Sequence, residues 1–475
     1  MSSLSRALLA FILAVQPVLA ADLPDLGEVS RQYFSDQEEQ ALGRAIMRDV
    51  YADPRYLDDP EIETYLNQLG YKLVSVSTRN QREFTFFVIN DPTINAFALP
   101  GGNIGVHTGL LLTTQNESEL ASVVGHEIAH VTQDHIARMV AAQSQSYWPT
   151  MAALALALLA ARSNPNVASA AIVSTQAYSV QNQLNYTRDY EREADRLGYE
   201  MLTRANFDPR SMSAFFNRMQ RASRFYDSNA PAYLRTHPLT SERIADMEAR
   251  SESAPYQQVA DSLDFQLIRA RLRAQDGSPA DAVLAARSTL KEKRYSSETA
   301  ARYGLVTALL RARQFKEAES EVQKLPFENN SSPMIQLLAA QTALAAGNPA
   351  LALQRYQVGS NAHPDYPPLQ YGYIGALLAT SHASDALARV DKQLALNPDD
   401  RRLWHLAAQT HAQLGQRLLS HRAQAEAAAL SGNLIAAIEQ ITSGLKAGDG
   451  SFYEMSAAEA RRREWQAIEK AQRKD

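Results

Sequence analysis

The 475-residue sequence contains no cysteine. That absence excludes disulfide bonds, cysteine nucleophiles, thiolate metal ligands and a lipid anchor on a cysteine. A metal ion bound by this chain must therefore be held by the nitrogen and oxygen atoms of other side chains.

A large excess of charge of one sign and long apolar runs are also missing. The formal net charge is -5 and the sequence pI is about 6.1, so nucleic acid is not an expected partner. The one long apolar stretch after the N-terminus, residues 151–161, is shorter than the roughly 20 residues of a membrane-spanning helix. No transmembrane segment is predicted.

Residues 1–20 have the layout of a cleavable export signal. Arg6 precedes an apolar run over residues 7–15, and Val18-Leu19-Ala20 precedes an acidic segment. We predict cleavage after Ala20 and export to an extracytoplasmic space.

Residues 21–255 mix helical and extended patterns. The capping motifs that begin at Ser35 and Asn116 mark two helix starts. Helices are predicted over residues 36–50, 60–74, 117–139 and 183–205. Strands are predicted over residues 84–90, 94–99 and 103–106, and we expect them to form a small antiparallel sheet. The pattern indicates an α+β domain.

The sequence changes character after this domain and becomes periodic. Ala318, Ala352 and Ala386 recur at an interval of 34 residues, and Pro364 and Pro398 repeat it. This is the tetratricopeptide period, in which small alanines allow two antiparallel helices to touch. We predict an all-α repeat solenoid over residues 262–475, which offers a surface for a protein partner.

The segment His126-Glu127-Ile128-Ala129-His130 lies on the third predicted helix. Histidines four residues apart share a helix face, so both can bind one zinc ion. Glu127 lies about 100° further round the helix, where it is a poor ligand but can reach a water molecule beside the ion. It is the candidate general base. His107 and His135 fall off this face and are predicted to be structural.

A third protein ligand is needed, because two histidines alone bind zinc weakly. On the fourth predicted helix Glu191 and Asp195 share a face, whereas Glu193 points away. We predict that Glu191 is the third ligand, and that Asp195 either orients a ligand histidine or donates a proton. One Zn²⁺ per chain would leave this site with a net positive charge.

With these motifs the chain resembles the gluzincin metallopeptidases that include HtpX and the CAAX prenyl proteases. The resemblance rests on four segments in family order: residues 95–102, 126–130, 187–195 and 236–238. It implies a zincin-like α+β metallopeptidase domain ahead of the repeats, zinc bound by His126, His130 and Glu191, a catalytic Glu127, and Arg188 beside the ligands.

Within this family, the chain most resembles a periplasmic group that acts in quality control of outer-membrane proteins. The shared features are the export signal, the lack of membrane helices and the repeats. The resemblance implies periplasmic location, cleavage and chaperone-like assistance, with unfolded or misassembled outer-membrane proteins as clients. It also implies contact of the repeats with the β-barrel assembly machinery. Two alternatives stay open: a repeat-based holdase whose zinc site is rarely catalytic, and a scaffold that zinc only stabilises.

The second predicted strand begins with Asn95, Ala96 and Phe97. An exposed strand edge could hold an extended substrate by backbone hydrogen bonds, which would give broad specificity. An ordinary core hairpin is an equally good interpretation of these side chains.

His237 is predicted to lie on a loop, because Pro231 precedes it and a helix start follows at Thr240. It could fill the open coordination position and hold the enzyme off, or it could stabilise the oxyanion during turnover. A surface histidine without either role is the third possibility. We favour the inhibitory role.

Overall fold

A computed structural model describes residues 31, 34–77, 82–142, 188–223, 232–254, 258–326 and 332–472. The predicted export signal lies outside the described residues. In this part of the chain, helices dominate and one three-stranded sheet is found. No helix within the described ranges is both long and apolar enough to cross a membrane.

Two helices open the first half, α1 (Asp36–Ala52) and α2 (Pro60–Val74). Ser35 and Glu38 form the predicted capping box at the start of α1. Asp59 caps α2 by accepting from the backbone N–H groups of Glu61 and Ile62. Both helices begin where the sequence predicts.

The sheet consists of β1 (Thr85–Ile89), β2 (Ala96–Leu99) and β3 (Asn103–His107), with β3 in the centre. Gly101 and Gly102 both have a φ of 78°, and they reverse the chain so that β2 runs antiparallel to β3. On the other side of β3, β1 is parallel to it. The predicted antiparallel sheet is therefore wrong for β1, because β1 pairs with β3 and not with β2, the strand that follows it in sequence.

A short helix, α3 (Thr108–Thr113), leads to α4 (Glu117–Thr132), in which all residues are buried. The predicted helix to residue 139 is interrupted, and α5 (His135–Ala142) is separate. The break lies at Asp134, whose φ of 54° is left-handed. Its buried carboxylate forms ion pairs with Arg31 and Arg82.

Among the residues described after α5, the first half contains four further helices: α6 (Arg188–Arg204), α7 (Arg210–Ser223), α8 (Ala232–Thr236) and α9 (Ser241–Ser253). The contact between α4 and α6 is made by glycine. A Cβ atom on Gly198 would lie only 3.2 Å from the backbone nitrogen of His126, and one on Gly125 would lie 3.6 Å from the carbonyl oxygen of Gly198. The two backbones approach this closely because neither residue has a side chain.

The second half is a series of antiparallel helix pairs. Its helices are α10 (Leu263–Gln275), α11 (Pro279–Lys291), α12 (Glu298–Arg311), α13 (Phe315–Val322), α14 (Pro333–Ala345), α15 (Pro349–Ala362), α16 (Pro367–Ala379), α17 (Ala383–Leu396), α18 (Arg401–Gln413), α19 (Arg417–Leu430), α20 (Leu434–Leu445) and α21 (Phe452–Gln472). The periodic residues Ala318, Ala352 and Ala386 each lie in the second helix of a pair and are fully buried. The predicted repeat architecture is confirmed.

The two halves share one hydrophobic core. The rings of Tyr65 in α2 and Phe265 in α10 lie 6.3 Å apart. Beside them, Glu117 at the start of α4 accepts hydrogen bonds from Tyr65 and from both the backbone and the hydroxyl of Ser262, at 2.8–2.9 Å. The predicted domain boundary between residues 255 and 262 stays a prediction, but the chain beyond it is anchored to the first half.

Buried ion pairs join the repeats to the start of α2. The guanidinium group of Arg271 in α10 lies 2.7 Å from Asp59 and 2.8 Å from Glu61. Tyr303 in α12 donates to Glu61 at 2.8 Å. Burial raises the pKa of Glu61 to about 7, although Arg271 acts in the opposite direction. These carboxylates are therefore stabilised by residues of the other half.

This interface predicts the outcome of replacing Arg271 by leucine. The change leaves Asp59 and Glu61 buried without their cation, which costs about 3–5 kcal/mol when one partner of a buried ion pair is lost. Because the halves share a core, we expect both to unfold in one transition at lower urea concentration. Circular dichroism follows the helices of both halves, and the fluorescence of Trp404 and Trp465 follows the repeats, so the two signals should change together.

A matched control is Arg287→Leu, since Arg287 forms an exposed ion pair with Glu317 within the repeats. Such surface pairs contribute about 0–1 kcal/mol. Equal midpoints for the two variants would show that the Arg271 cluster does not stabilise the interface.

Candidate metal centre

Helix α4 presents His126 and His130 on one face, as their spacing predicts. Their Nε2 atoms lie 3.0 Å apart, and both side chains are inaccessible to solvent. The rings meet edge to face at a centroid distance of 4.6 Å. Two imidazole nitrogens therefore point at a common position in the interior.

Helix α6 brings Glu191 to the same position. One carboxylate oxygen lies 3.5 Å from Nε2 of His126 and the other lies 3.5 Å from Nε2 of His130. Gly198 lies seven residues, or about two turns, after Glu191 and thus on the same face of α6. Because Gly198 packs against the backbone of α4, Glu191 also faces α4 and can reach its histidines.

His237 completes a group of four possible ligands. Its Nδ1 atom lies 3.0 Å from Glu191 and 3.3 Å from Nε2 of His126. One ligand atom from each of the four residues lies within 4.8 Å of all the others. His237 directly follows α8, and it is buried against the ring of Tyr233 at a centroid distance of 4.9 Å. The possibility of a surface histidine is therefore wrong.

The four donors fit a metal ion by their chemistry. The Nδ1 atom of His126 lies 3.0 Å from a carboxylate oxygen of Asp195, and the Nδ1 atom of His130 lies 2.7 Å from Nδ1 of His135. With those partners, each Nε2 atom can direct a lone pair at the centre, where the carboxylate of Glu191 also points. Burying three such groups together is unfavourable without a cation. Nitrogen and oxygen donors in this set suit zinc.

Two carboxylates beside the centre share one arginine. Arg243 in α9 lies 2.7 Å from Asp195 and 2.7 Å from Glu191, and it is almost fully buried. Burial alone would raise the pKa of both carboxyl groups, but Arg243 and the neighbouring histidines outweigh it and lower both values. Asp195 is thus ionised and holds His126, which favours its orienting role over proton donation.

Arg188 does not lie where the resemblance implies. It is the exposed first residue of α6, because that helix is buried only from Glu191 onward. Arg243 occupies the position beside the carboxylates instead. The sequence indicates only that two buried acids need a cation, and it does not indicate which arginine provides it.

Glu127 is fully buried next to the four donors. One of its oxygens lies 3.5 Å from Nε2 of His237. Burial raises its pKa, against the opposing effects of His237, His126 and the backbone of Ala98. The carboxyl group is therefore close to the centre, with a pKa raised above that of an exposed glutamate.

The strand β2 packs against α4, and within the described ranges it pairs on one side only, with β3. Ala96 is buried, and the ring of Phe97 contacts the rings of Phe87 and His107 at 6.0 and 5.9 Å. The carbonyl oxygen of Asn95 accepts from the backbone of His107 at 3.0 Å. The side chains of Ala96 and Phe97 are engaged in the fold, so these two residues could hold a substrate through their backbone groups.

Comparison with known proteins agrees with this geometry. A model of Peptidase family M48 matches residues 60–251, and a tetratricopeptide-repeat model matches residues 343–410. A protein of Vibrio cholerae assigned as a beta-barrel assembly-enhancing protease is 35% identical over 426 residues, which cover 89% of this chain and 87% of that protein.

The beta-barrel assembly-enhancing protease of Escherichia coli is 32% identical over 430 residues, again 89% of this chain and 87% of the relative. The mitochondrial metalloendopeptidase OMA1 of Schizosaccharomyces pombe is 32% identical over 187 residues, which cover 39% of this chain and 51% of that protein. The bacterial matches extend through both halves. The chain belongs to the family of the beta-barrel assembly-enhancing proteases, as a metallopeptidase with an M48 peptidase region followed by tetratricopeptide repeats.

Proposed function

We propose that the chain is a zinc metalloendopeptidase that binds one Zn²⁺ through His126, His130 and Glu191. The observation that carries the proposal is the convergence of these buried donors with Glu127 beside them. When bound, zinc polarises a peptide carbonyl and lowers the pKa of a water molecule to about 7.

Glu127 performs the proton transfers in this proposal. Its pKa is raised by burial, which brings the group closer to the pH at which it works and suits it to both accept and donate a proton. It takes a proton from the attacking water and passes it to the leaving amine. Asp195, held by Arg243, keeps His126 in the tautomer that directs Nε2 at the centre.

The substrate lies extended along the free edge of β2. This edge packs beside α4, and the side chains of Ala96 and Phe97 are already engaged in the fold. Of the predicted segment Asn95–Phe97, Asn95 already bonds to β3, and since alternate residues of a strand bond to opposite sides, the backbone of Ala96 would pair with the substrate backbone. Recognition would then depend little on substrate sequence. Unfolded segments meet this requirement better than folded proteins do.

His237 inhibits the enzyme by filling the fourth position. Catalytic zinc sites keep one position open, whereas sites with four protein ligands are closed. Nδ1 of His237 lies among the ligand atoms, and the oxyanion role would instead require a donor that faces the substrate. Withdrawal of His237 would expose the centre and release Glu127 from its contact with Nε2.

In the cell, we propose a periplasmic role in quality control and assembly of outer-membrane β-barrel proteins, with chaperone-like activity. The names of the relatives and the predicted export signal support it. Clients would be unfolded or misassembled outer-membrane proteins, and the repeats would contact the β-barrel assembly machinery. The complete set of Glu127 and buried donors favours hydrolysis over the alternative of a holdase with a rarely used site.

The first test of this function separates metal binding from proton transfer. Glu127→Gln keeps the four donors but removes the base, so the variant should retain about one zinc per chain and lose most hydrolysis, by the 10²–10⁴-fold typical of a general base. Zinc content and cleavage of an unfolded protein are measured on one preparation.

Glu200→Gln is the matched control, because Glu200 is a solvent-accessible residue of α6, and it should behave as wild type. Wild-type cleavage by Glu127→Gln would remove Glu127 from the mechanism. Loss of zinc in that variant would show that Glu127 is a ligand.

The second test concerns His237→Ala. If His237 closes the site, self-cleavage and degradation of an unfolded client should both increase, since the fourth position is open throughout. His382→Ala, at an exposed histidine in the repeats, controls for histidine loss. A decrease in both rates, with zinc retained, would assign His237 to transition-state stabilisation, and unchanged rates would remove it from control and catalysis alike.

A further inference from the structure

His135 contacts the candidate metal centre through His130, although its position in the sequence predicts a structural residue. The left-handed conformation of Asp134 ends α4 and turns α5 back towards it. The Nδ1 atom of His135 consequently lies 2.7 Å from Nδ1 of His130, on the side of that ring opposite the four donors.

The contacts of His135 continue away from the centre. Its Nε2 atom lies 3.2 Å from Glu193, the acid that points away from Glu191 on α6. Arg138 donates to the same carboxylate oxygen at 2.8 Å. The ring of His135 stacks on Tyr190 at a centroid distance of 4.6 Å and an interplanar angle of 16°. Both ring nitrogens and one face of His135 are therefore held.

The role of His130 as a ligand determines where the protons lie in the series of hydrogen bonds from His130 through His135 to Glu193. If His130 binds metal through Nε2, its remaining proton is on Nδ1. At 2.7 Å that N–H must donate to a bare nitrogen, so Nδ1 of His135 is the acceptor. The proton of His135 is then on Nε2, where it is donated to Glu193. Each bond has one donor and one acceptor, and Arg138 balances the carboxylate charge.

We propose that His135 is a positioning residue for the metal site. It fixes the tautomer and orientation of His130, and Glu193 in turn fixes His135. Ligand histidines usually donate directly to a carboxylate or carbonyl oxygen, and Nδ1 of His126 lies 3.0 Å from a carboxylate oxygen of Asp195. Here a second imidazole stands between ligand and carboxylate. The inference rests on the proposed ligand role of His130.

The experiment measures zinc affinity of the full-length, metal-free chain by competition with a chromophoric chelator. His135→Phe preserves the ring that stacks on Tyr190 but cannot accept a hydrogen bond, and it should weaken affinity by about 10–100-fold. His135→Asn provides an acceptor oxygen and should recover part of this loss. Glu193→Gln should weaken affinity less, since it acts one bond further away.

The melting temperature of the metal-free protein distinguishes positioning from general packing. We expect His135→Phe to melt as the metal-free wild type does while its affinity falls. Wild-type affinity in His135→Phe would overturn the inference, and so would a loss that tracks the melting temperature and is not recovered in His135→Asn. His130→Ala serves as the reference: if it binds zinc as wild type, the proposed ligand set fails rather than the role of His135.

Discussion

The close approach of α4 and α6 is the constraint on which the candidate centre depends. Gly125 and Gly198 allow the two backbones to touch beside His126, and this contact sets how far Glu191 can reach. An added methyl group on Gly198 would meet backbone atoms that cannot move aside without shifting α4. His126, His130 and Glu191 come from two separate helices, so the packing between those helices determines the distances between their donor atoms.

Burial of acids is the second recurring feature, and arginine compensates for it in both halves. Arg243 holds Asp195 and Glu191 beside the centre, and Arg271 holds Asp59 and Glu61 where the repeats meet α2. Carboxylates this deeply buried require such partners. The start of α4 is also bonded to Ser262, so the helix that presents the histidines is fixed by both halves. Repeats and peptidase region thus form one structural unit around this helix.

Local sequence signals predicted the features that lie within a single helix or that recur at a fixed interval along the sequence. The histidine spacing placed His126 and His130 on one face, the spacing of Glu191 and Asp195 did the same on α6, and the 34-residue interval located the repeats. Apart from the meeting of Glu191 with the two histidines, features that depend on how elements meet were not predicted. The parallel pairing of β1, the choice of Arg243 over Arg188 and the contact of His135 with His130 all follow from tertiary packing, which no local pattern encodes.

We propose that His126, His130, Glu191 and His237 surround one metal ion in the resting protein. X-ray absorption at the zinc edge of the zinc-loaded full chain tests it directly, because imidazole rings give a characteristic scattering pattern. We expect a four-coordinate shell of nitrogen and oxygen at about 2.0–2.1 Å with three imidazoles, and two imidazoles in His237→Ala. Two imidazoles in the wild type and no change in the variant would contradict it.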